Sequence, residues 1–467
     1  MREPALPARQ ASGLLVQCSS AKWRVTAGAV SGLTPVSSDA RPQAPACPPS
    51  VSSQQPERPR AAPAWRGGAP VGYVAEAMTT TPTASSKRNL DAARAAKNDE
   101  FYTQWADIER EINAYLEYDP DVFRDKVILL PCDDPEWSNF AKFFALHFVD
   151  FGLKKLISTS YAPDSKPAKI NYQPTLFESQ SRAFDANKTR VNGKKFTLER
   201  KDLNGDGVIN IDDLQWEYLA GDGDFRSAEV TALRDEAEIV MTNPPFSLFR
   251  EFVTWLLQGG KRFAIVGTNN AITYAEVFPY IKANELWKGA TANSTDMVFG
   301  VPKGTEIDEA DRLKAEKLGY PSDNEHDYTR LGNSSWFTNI DHGRRHEPLQ
   351  LMTVADNLRF NKRLIKKLGG HQGYQRYENF DAIDVPFADA IPSDYDGMMG
   401  VPITFLDRYN PDQFEIVGNG EGYLAAAMGV APLGPEFVGN QGRTKLGIAS
   451  TKQAVFKRIV VRHRRGD

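Results

Sequence analysis

The sequence predicts an α/β fold, with a doubly wound parallel sheet followed by a carboxyl-terminal region on a different plan. Three observations point there. Four short apolar runs, Val127 to Leu130, Lys154 to Thr159, Ile239 to Met241 and Arg262 to Gly267, have the length and composition of strands buried on both faces. Helical-period segments lie among them, the alternation expected of a parallel sheet. After about Ala290 the alternation stops, and glycine, aromatic and turn residues dominate.

Taken in order, residues 1–85 are rich in Pro, Ala, Ser, Gln and Arg without a sustained period, and read as a disordered low-complexity extension. Met78 opens MTTTPTASSKRNL, which reads as an ordinary protein start, so the first 77 residues read as an upstream extension. In KNDEFYTQWADIEREINAYL, Phe101, Trp105, Ile108, Ile112 and Tyr115 share one helical face. The run Val127 to Leu130 feeds an acidic turn, Pro131-Cys132-Asp133-Asp134-Pro135, and then a helix with Phe140, Phe143, Phe144 and Phe148 apolar. Residues 161–200 are polar and weakly patterned, and read as an excursion from the sheet.

The stretch that organises the chain is EIVMTNPPFSLFREFVTWLL, Glu238 to Leu257. Pro244 and Pro245 lack amide protons, so the strand Ile239 to Met241 must stop there. Leu248, Phe249, Phe252, Trp255 and Leu256 then follow at helical spacing, and Gly259-Gly260 closes the helix. Asn243 to Phe246 is thus a stiff turn at the carboxyl end of a strand, where open α/β sheets bind ligands. An Asn carbonyl, peptide carbonyls beside prolines and a nearby aromatic ring can grip a planar ring carrying an exocyclic amine. The plain alternative is a proline-rich turn with a core Phe.

Other features narrow the function. The chain has 467 residues, a net charge of −4 and three cysteines, Cys18, Cys47 and Cys132, without metal-ligand spacing. That speaks against a disulfide scaffold and fits a reducing, cytoplasmic setting. No apolar run is long enough to span a bilayer, so no membrane partner is expected. The acidic turn has no glycines and the chain no P-loop pattern. Asp133 and Asp134 would repel phosphate and suit a cationic or hydroxylated ligand, or be solvated turn aspartates. Asp224-Phe225, in GDGDFRS before the central strand, can accept from an amino group and pack on a ring, or form an Asp-Gly turn.

Asp202, Asn204, Asp206, Asn210 and Asp213 place oxygen-bearing side chains at positions one, three, five, nine and twelve of a calcium-loop spacing, with Gly207 at six. Asp213 stands where a bidentate Glu is usual. One copy inside a larger domain reads either as a local structural loop or as a calcium site. The carboxyl-terminal clusters around His342 to His346, Lys362 to Lys367 and Phe456 to Arg465 interleave basic and aromatic residues, which suits a phosphate backbone and unstacked bases.

From about Lys97 to Gly418 the chain resembles the EcoRI-type adenine-specific DNA methyltransferase family. The resemblance rests on KNDEFYT, CDDPEWSNF, GDGDFRS, EIVMTNPPFSLFREF, NAITYAEVFP, LGNSSWFTNIDH and YDGMMGVPITFLDRYNPDQFEIVG, long and collinear. It implies a Rossmann-like methyltransferase sheet over residues 86–290, using S-adenosyl-L-methionine, and a DNA target-recognition region over 291–467. Asn98, Phe101, Tyr102, Thr103, Asp133, Asp134, Asp224 and Phe225 would bind the cofactor, and Asn243, Pro244, Pro245 and Phe246 would hold a flipped-out adenine for N6 methylation. Double-stranded DNA would be the partner of a monomeric modification enzyme from a restriction–modification or phage system, with a cognate endonuclease as a second partner. The chain departs from the broad pattern in lacking the glycine-rich first turn, and in ending its second strand with Thr159-Ser160 where an acidic ribose ligand is usual. Two rival readings are an enzyme methylating an amide nitrogen of a protein glutamine and a calcium-dependent interaction protein. Assaying DNA against protein substrates separates the first, and a calcium-dependent stability without methyl transfer would mark the second.

Overall fold

A computed structural model describes residues 102–165, 173–291, 297–305, 307–331, 333–440 and 442–464. The expected extension over 1–85, and the site residues Asn98 and Phe101, lie outside the described residues. The described residues all belong to one compact unit spanning Thr80–Asp467.

The strands in chain order are β1 (Tyr102–Thr103), β2 (Val127–Leu130), β3 (Lys155–Ser160), β4 (Lys194–Glu199), β5 (Gln215–Tyr218), β6 (Ile239–Thr242), β7 (Arg262–Thr268), β8 (Trp287–Lys288), β9 (Val298–Pro302), β10 (His326–Arg330) and β11 (Ser334–Thr338). An eight-stranded sheet runs β5-β4-β3-β2-β6-β7-β11-β8. Its centre, β3-β2-β6-β7, is parallel, as the apolar runs require. Strands β4, β5 and β11 pair antiparallel with their inner neighbours, and β8 pairs antiparallel with β11.

Alternate residues of each central strand point to opposite faces. Ile128, Leu130, Ile239 and Met241 meet helices α1 (Trp105–Tyr118) and α2 (Asn139–Leu146) through Ile108, Ile112, Phe140 and Phe144. Val127, Leu129, Val240 and Ile265 meet α3 (Ala228–Glu236) and α4 (Phe249–Gln258) through Val230, Phe252 and Leu256. Both faces are covered, which is why these strands read as continuous apolar runs.

Two readings need correcting. Residues 161–200 are not wholly an excursion, because KKFTLE is β4, with Lys194, Phe196 and Leu198 buried in alternation. The alternation is hidden in the sequence because the inward Lys194 is neutralised by buried Glu178 at 2.9 Å. The sheet also runs past residue 290, where the sequence reading ended the catalytic domain. Strand β11 covers the edge of β7 that would otherwise expose unpaired backbone groups.

A second sheet follows, from β12 (Gln375–Arg376), β13 (Ala382–Asp384), β14 (Met398–Pro402) and β15 (Phe414–Asn419), after which β16 (Gly447–Ile448) and β17 (Gln453–Ala454) form a separate pair. Its remaining strand, β18 (Arg458–His463), lies between β14 and β15. The basic run at the carboxyl terminus is therefore mostly an interior strand. Ile459, Val460 and Val461 are buried, Arg458 pairs with Asp384 at 2.9 Å and Arg462 with Glu415 at 2.7 Å. Among its described residues, Phe456 and Lys457 before β18 and Arg464 after it lie outside the strand. Among the described residues no helix is long and apolar enough to cross a membrane.

Candidate active site

The strand order reverses between β2 and β6, since the chain goes from β2 outward to β3 and later returns to β6 on the other side. The crevice beyond the carboxyl ends of such strands is where open α/β sheets bind ligands. Here it is a cavity of about 410 Å³ lined by four segments together with Ser160 and Tyr161 at the end of β3. The β2 and β6 ends are tied together by the Thr242 hydroxyl, which donates to the Pro131 carbonyl at 2.7 Å.

The first segment is the acidic turn after β2. Cys132 has φ +68°, the left-handed conformation that usually selects glycine. The sharp turn that nucleotide-binding folds commonly make with glycine is here made by a cysteine in the left-handed conformation. Its amide donates to the Thr159 hydroxyl at 3.3 Å. Ser138 then caps α2, accepting from the amides of Phe140 (3.1 Å) and Ala141 (3.4 Å). The same hydroxyl donates to Asp133 Oδ1 at 2.5 Å.

That bond fixes Asp133 with its other oxygen, Oδ2, buried and unpartnered by any described residue. The Thr242 hydroxyl is near the carboxyl but gives its proton to Pro131. Burial pushes the Asp133 carboxyl up to about 7, against the pull of the Ser138 and Thr242 hydroxyls and with the neighbouring Asp134 adding to the rise. Thr103 Oγ1, also of the lining, is buried without a partner among the described residues, while the Thr103 carbonyl accepts from Asn139 at 2.8 Å.

The second wall is the GDGDFRS segment. Gly223 has φ +87°, and a Cβ there would stand 2.4 Å from the Ser160 carbonyl oxygen. Glycine is therefore what lets Asp224 and Phe225 close against the end of β3. Both Asp224 oxygens accept from Arg226, at 2.9 Å from Nε and 2.5 Å from Nη2, and these bonds hold its carboxyl below the usual range. The Phe225 ring is buried between Phe252 (centroids 5.0 Å) and Trp255 (5.5 Å), so it lines the cavity as part of the core wall.

The third segment is the turn after β6. Asn243 and Pro245 line the cavity, whereas Pro244 is buried beneath it. Phe246 lies outside the lining, its ring set edge-on to Phe299 of β9 at 6.4 Å. The turn is positioned by Phe249 at the start of α4, which packs so closely on β7 that a Cβ on Gly267 would stand 2.1 Å from its ring. The fourth segment is β1, held over the cavity by antiparallel pairing with β9.

The structure thus brings Tyr102, Thr103, Asp133, Asp134, Asp224, Phe225, Asn243 and Pro245 to one cavity. It adds Trp137, Ser138, Ser160, Tyr161 and Arg226, which the sequence reading did not single out as ligand contacts. Trp137 is 44% exposed, unusual for a tryptophan and a usable sign of a ligand face. Burial, with Asp222 adding to it, pushes the Tyr161 hydroxyl up to about 12.

The calcium-spaced loop lies elsewhere. It joins β4 to β5, and β4 runs antiparallel to β3 with Glu199 opposite Lys155, so the loop sits at the amino end of β3, away from the cavity. Its carboxylates accept from the loop's own amides: Asp202 from Gly205 and Gly207, Asp206 from Val208, and Asp213 from Leu203 and Asn210. Asn204 accepts from the Asp206 amide. Among the described residues no group of three or more His, Cys, Asp or Glu side chains is placed to hold a metal ion.

A family model described as adenine-specific methyltransferase EcoRI matches residues 89–464. The chain is 38% identical over 334 residues to the type II methyltransferase M.EcoRI of Escherichia coli, covering 71% of this chain and 89% of that protein. It is 33% identical over 328 residues to the type II methyltransferase M.MpnI of Mycoplasma pneumoniae, covering 70% and 84%. For the type II methyltransferase M.MgeORF184P of Mycoplasma genitalium the figures are 32% over 329 residues, 70% and 85%. No solved structure matches the chain.

Proposed function

Because this chain belongs to the EcoRI family of adenine-specific methyltransferases, we propose that its cavity binds S-adenosyl-L-methionine and that the Asn243 turn presents adenine N6 of duplex DNA to it. The observation that carries the reading is the meeting of two segments at the switch point. The acidic turn of Asp133 and the turn of Asn243 line the same 410 Å³ space, a volume in the range of small-molecule sites.

The residues present fit such a ligand. Asp133 Oδ2 and Thr103 Oγ1 are buried polar atoms of cavity-lining residues without partners among the described residues, a costly arrangement unless a ligand satisfies them. An ammonium group from the methionine part suits Asp133, whose carboxyl would ionise on meeting it. Trp137 and Tyr161 offer ring faces for the adenosine part, and Asp224 with Arg226 closes that side.

Bound cofactor supplies a methyl group already made electrophilic by its positive sulfur. The protein's task is then positioning. Asn243 and the Pro244 carbonyl take the two N6 hydrogens, which aims the nitrogen lone pair away from them. Phe246, half-buried with its ring edge-on to Phe299, covers the base in this reading. N6 would bond to the methyl carbon as the sulfonium S–C bond breaks to leave a neutral thioether, and one N6 proton would pass to water, so no strong base is needed. Reaching N6 requires the base to leave the duplex. The segment after residue 290 supplies target recognition in this reading, and the enzyme serves as the modification half of a restriction–modification pair, in line with the type II names of its relatives.

The test is transfer of labelled methyl from S-adenosyl-L-methionine to unmethylated double-stranded DNA, with the product nucleosides separated. Label in N6-methyladenine is the expected result. Cofactor binding without label in DNA overturns the substrate assignment, and absence of cofactor binding overturns the whole reading.

A further inference from the structure

The carboxyl-terminal sheet shares a hydrophobic core with the catalytic sheet, and one strained turn beside it reaches the catalytic sheet's rim. Lys457, the residue before β18, has φ +27°, a backbone conformation that a lysine rarely adopts. Such strain persists only where surrounding contacts impose it, and it concentrates at functional sites. The lysine's ammonium donates to Asn270 Oδ1.

Asn270 lies two residues beyond the end of β7, at the same carboxyl edge of the sheet as Asn243. From Asn270 a short helical turn leads to Tyr274, whose ring carries the Arg250 guanidinium at 4.0 Å. Arg250 is the second residue of α4, directly after the Asn243–Phe246 turn. These contacts form a rim from the proposed base-holding turn through Arg250 and Asn270 to Lys457, with two cations on it.

On that rim stands Phe456, 70% exposed, with the Lys457 ammonium 5.3 Å from its ring centre. The neighbouring residues on both sides are anchored. The Val455 amide donates to the Leu446 carbonyl, and the Arg458 carbonyl accepts from Gly420 at 2.8 Å. The ring is thus an exposed apolar side chain on an anchored backbone, next to a cation. That is the composition expected where phosphates flank an opened base stack.

We propose that Phe456 enters the duplex beside the target adenine and fills the space the flipped base leaves, with Lys457 and Arg250 holding the flanking phosphates. This rests on the adenine-methylating reading above. The physical gain is that stacking lost when the base leaves is replaced by contact with the phenyl ring, which lowers the cost of extrusion.

The experiment compares wild type with Phe456→Ala and Phe456→Trp on two duplexes carrying the site mapped from wild-type product. One pairs the target adenine with thymine, and the other places it opposite an abasic position, where extrusion is already cheap. Phe456→Ala is expected to lose on the order of tenfold or more in kcat/KM on the paired duplex and to recover to within about threefold on the abasic one. Phe456→Trp retains activity on both. With 2-aminopurine at the target position, the fluorescence rise on binding is expected to shrink in Phe456→Ala. Equal losses on the two duplexes, or a wild-type rate on the paired duplex, overturn the proposal while leaving the methyltransferase reading intact. A wild-type enzyme that methylates neither duplex overturns both.

Discussion

Asp133 offers the sharpest test of the cavity. Burial holds its carboxyl at about 7 in the fold, against an ordinary value of 3.8. Between those values the folded protein binds more protons than the unfolded chain, so stability falls as pH rises. The advantage of the protonated form is complete below about pH 4 and gone above about pH 7. A shift of about three units at 1.36 kcal/mol each corresponds to about 4 kcal/mol over that window. Asp133→Asn keeps the size and the acceptor for Ser138 but cannot ionise. In urea unfolding of the ligand-free protein at pH 5, 6, 7 and 8, the variant is expected to gain on wild type as pH rises, the difference levelling off above pH 7. Taking the difference cancels every other titration the two proteins share. Binding of a cationic ligand should reverse the preference: wild-type affinity for S-adenosyl-L-methionine increases with pH, by up to about tenfold per unit until about pH 7, and that of Asp133→Asn stays flat. Parallel stability curves for the two proteins would refute the buried, unpartnered carboxylate and the role built on it.

Three further outcomes follow from the geometry. Asn243→Ala should bind cofactor normally yet lose about a hundredfold or more in turnover, and an unchanged rate would remove Asn243 from the chemistry. Gly223→Ala must meet both a positive φ and the Ser160 carbonyl. It should cost about 1–3 kcal/mol of stability and weaken cofactor binding, both readable by thermal melts with and without ligand. Calcium or a chelator should leave methyl transfer unchanged, because the Asp202 to Asp213 loop lies at the opposite end of β3 from the cavity, and a change in rate with calcium would contradict that separation.

Much of the fold was legible because its cause is local. Runs such as Val127 to Leu130 can only be strands buried on both sides, and two consecutive prolines end a strand wherever they occur. The turn at Asn243 and the acidic turn at Asp133 were therefore visible as ligand-facing segments before any tertiary structure. Strand β4 was not, because its inward Lys194 reads as polar until Glu178, sixteen positions earlier, is brought within 2.9 Å of it. Nor was the first turn's geometry, since nothing in Cys132 itself announces a left-handed backbone.

The sequence by itself determined the parallel centre, the stiff Asn-Pro-Pro-Phe turn and the family, since apolar period, missing amide protons and collinear motifs are properties of neighbouring residues. Tertiary structure alone decided what those residues face. Burial left Asp133 Oδ2 without a partner, turned Phe225 into the core, gave Asp224 to Arg226 and set the basic carboxyl-terminal run inside a sheet. The physical reason is that desolvation and ion pairing depend on atoms distant in the chain, and only the packed fold brings them together.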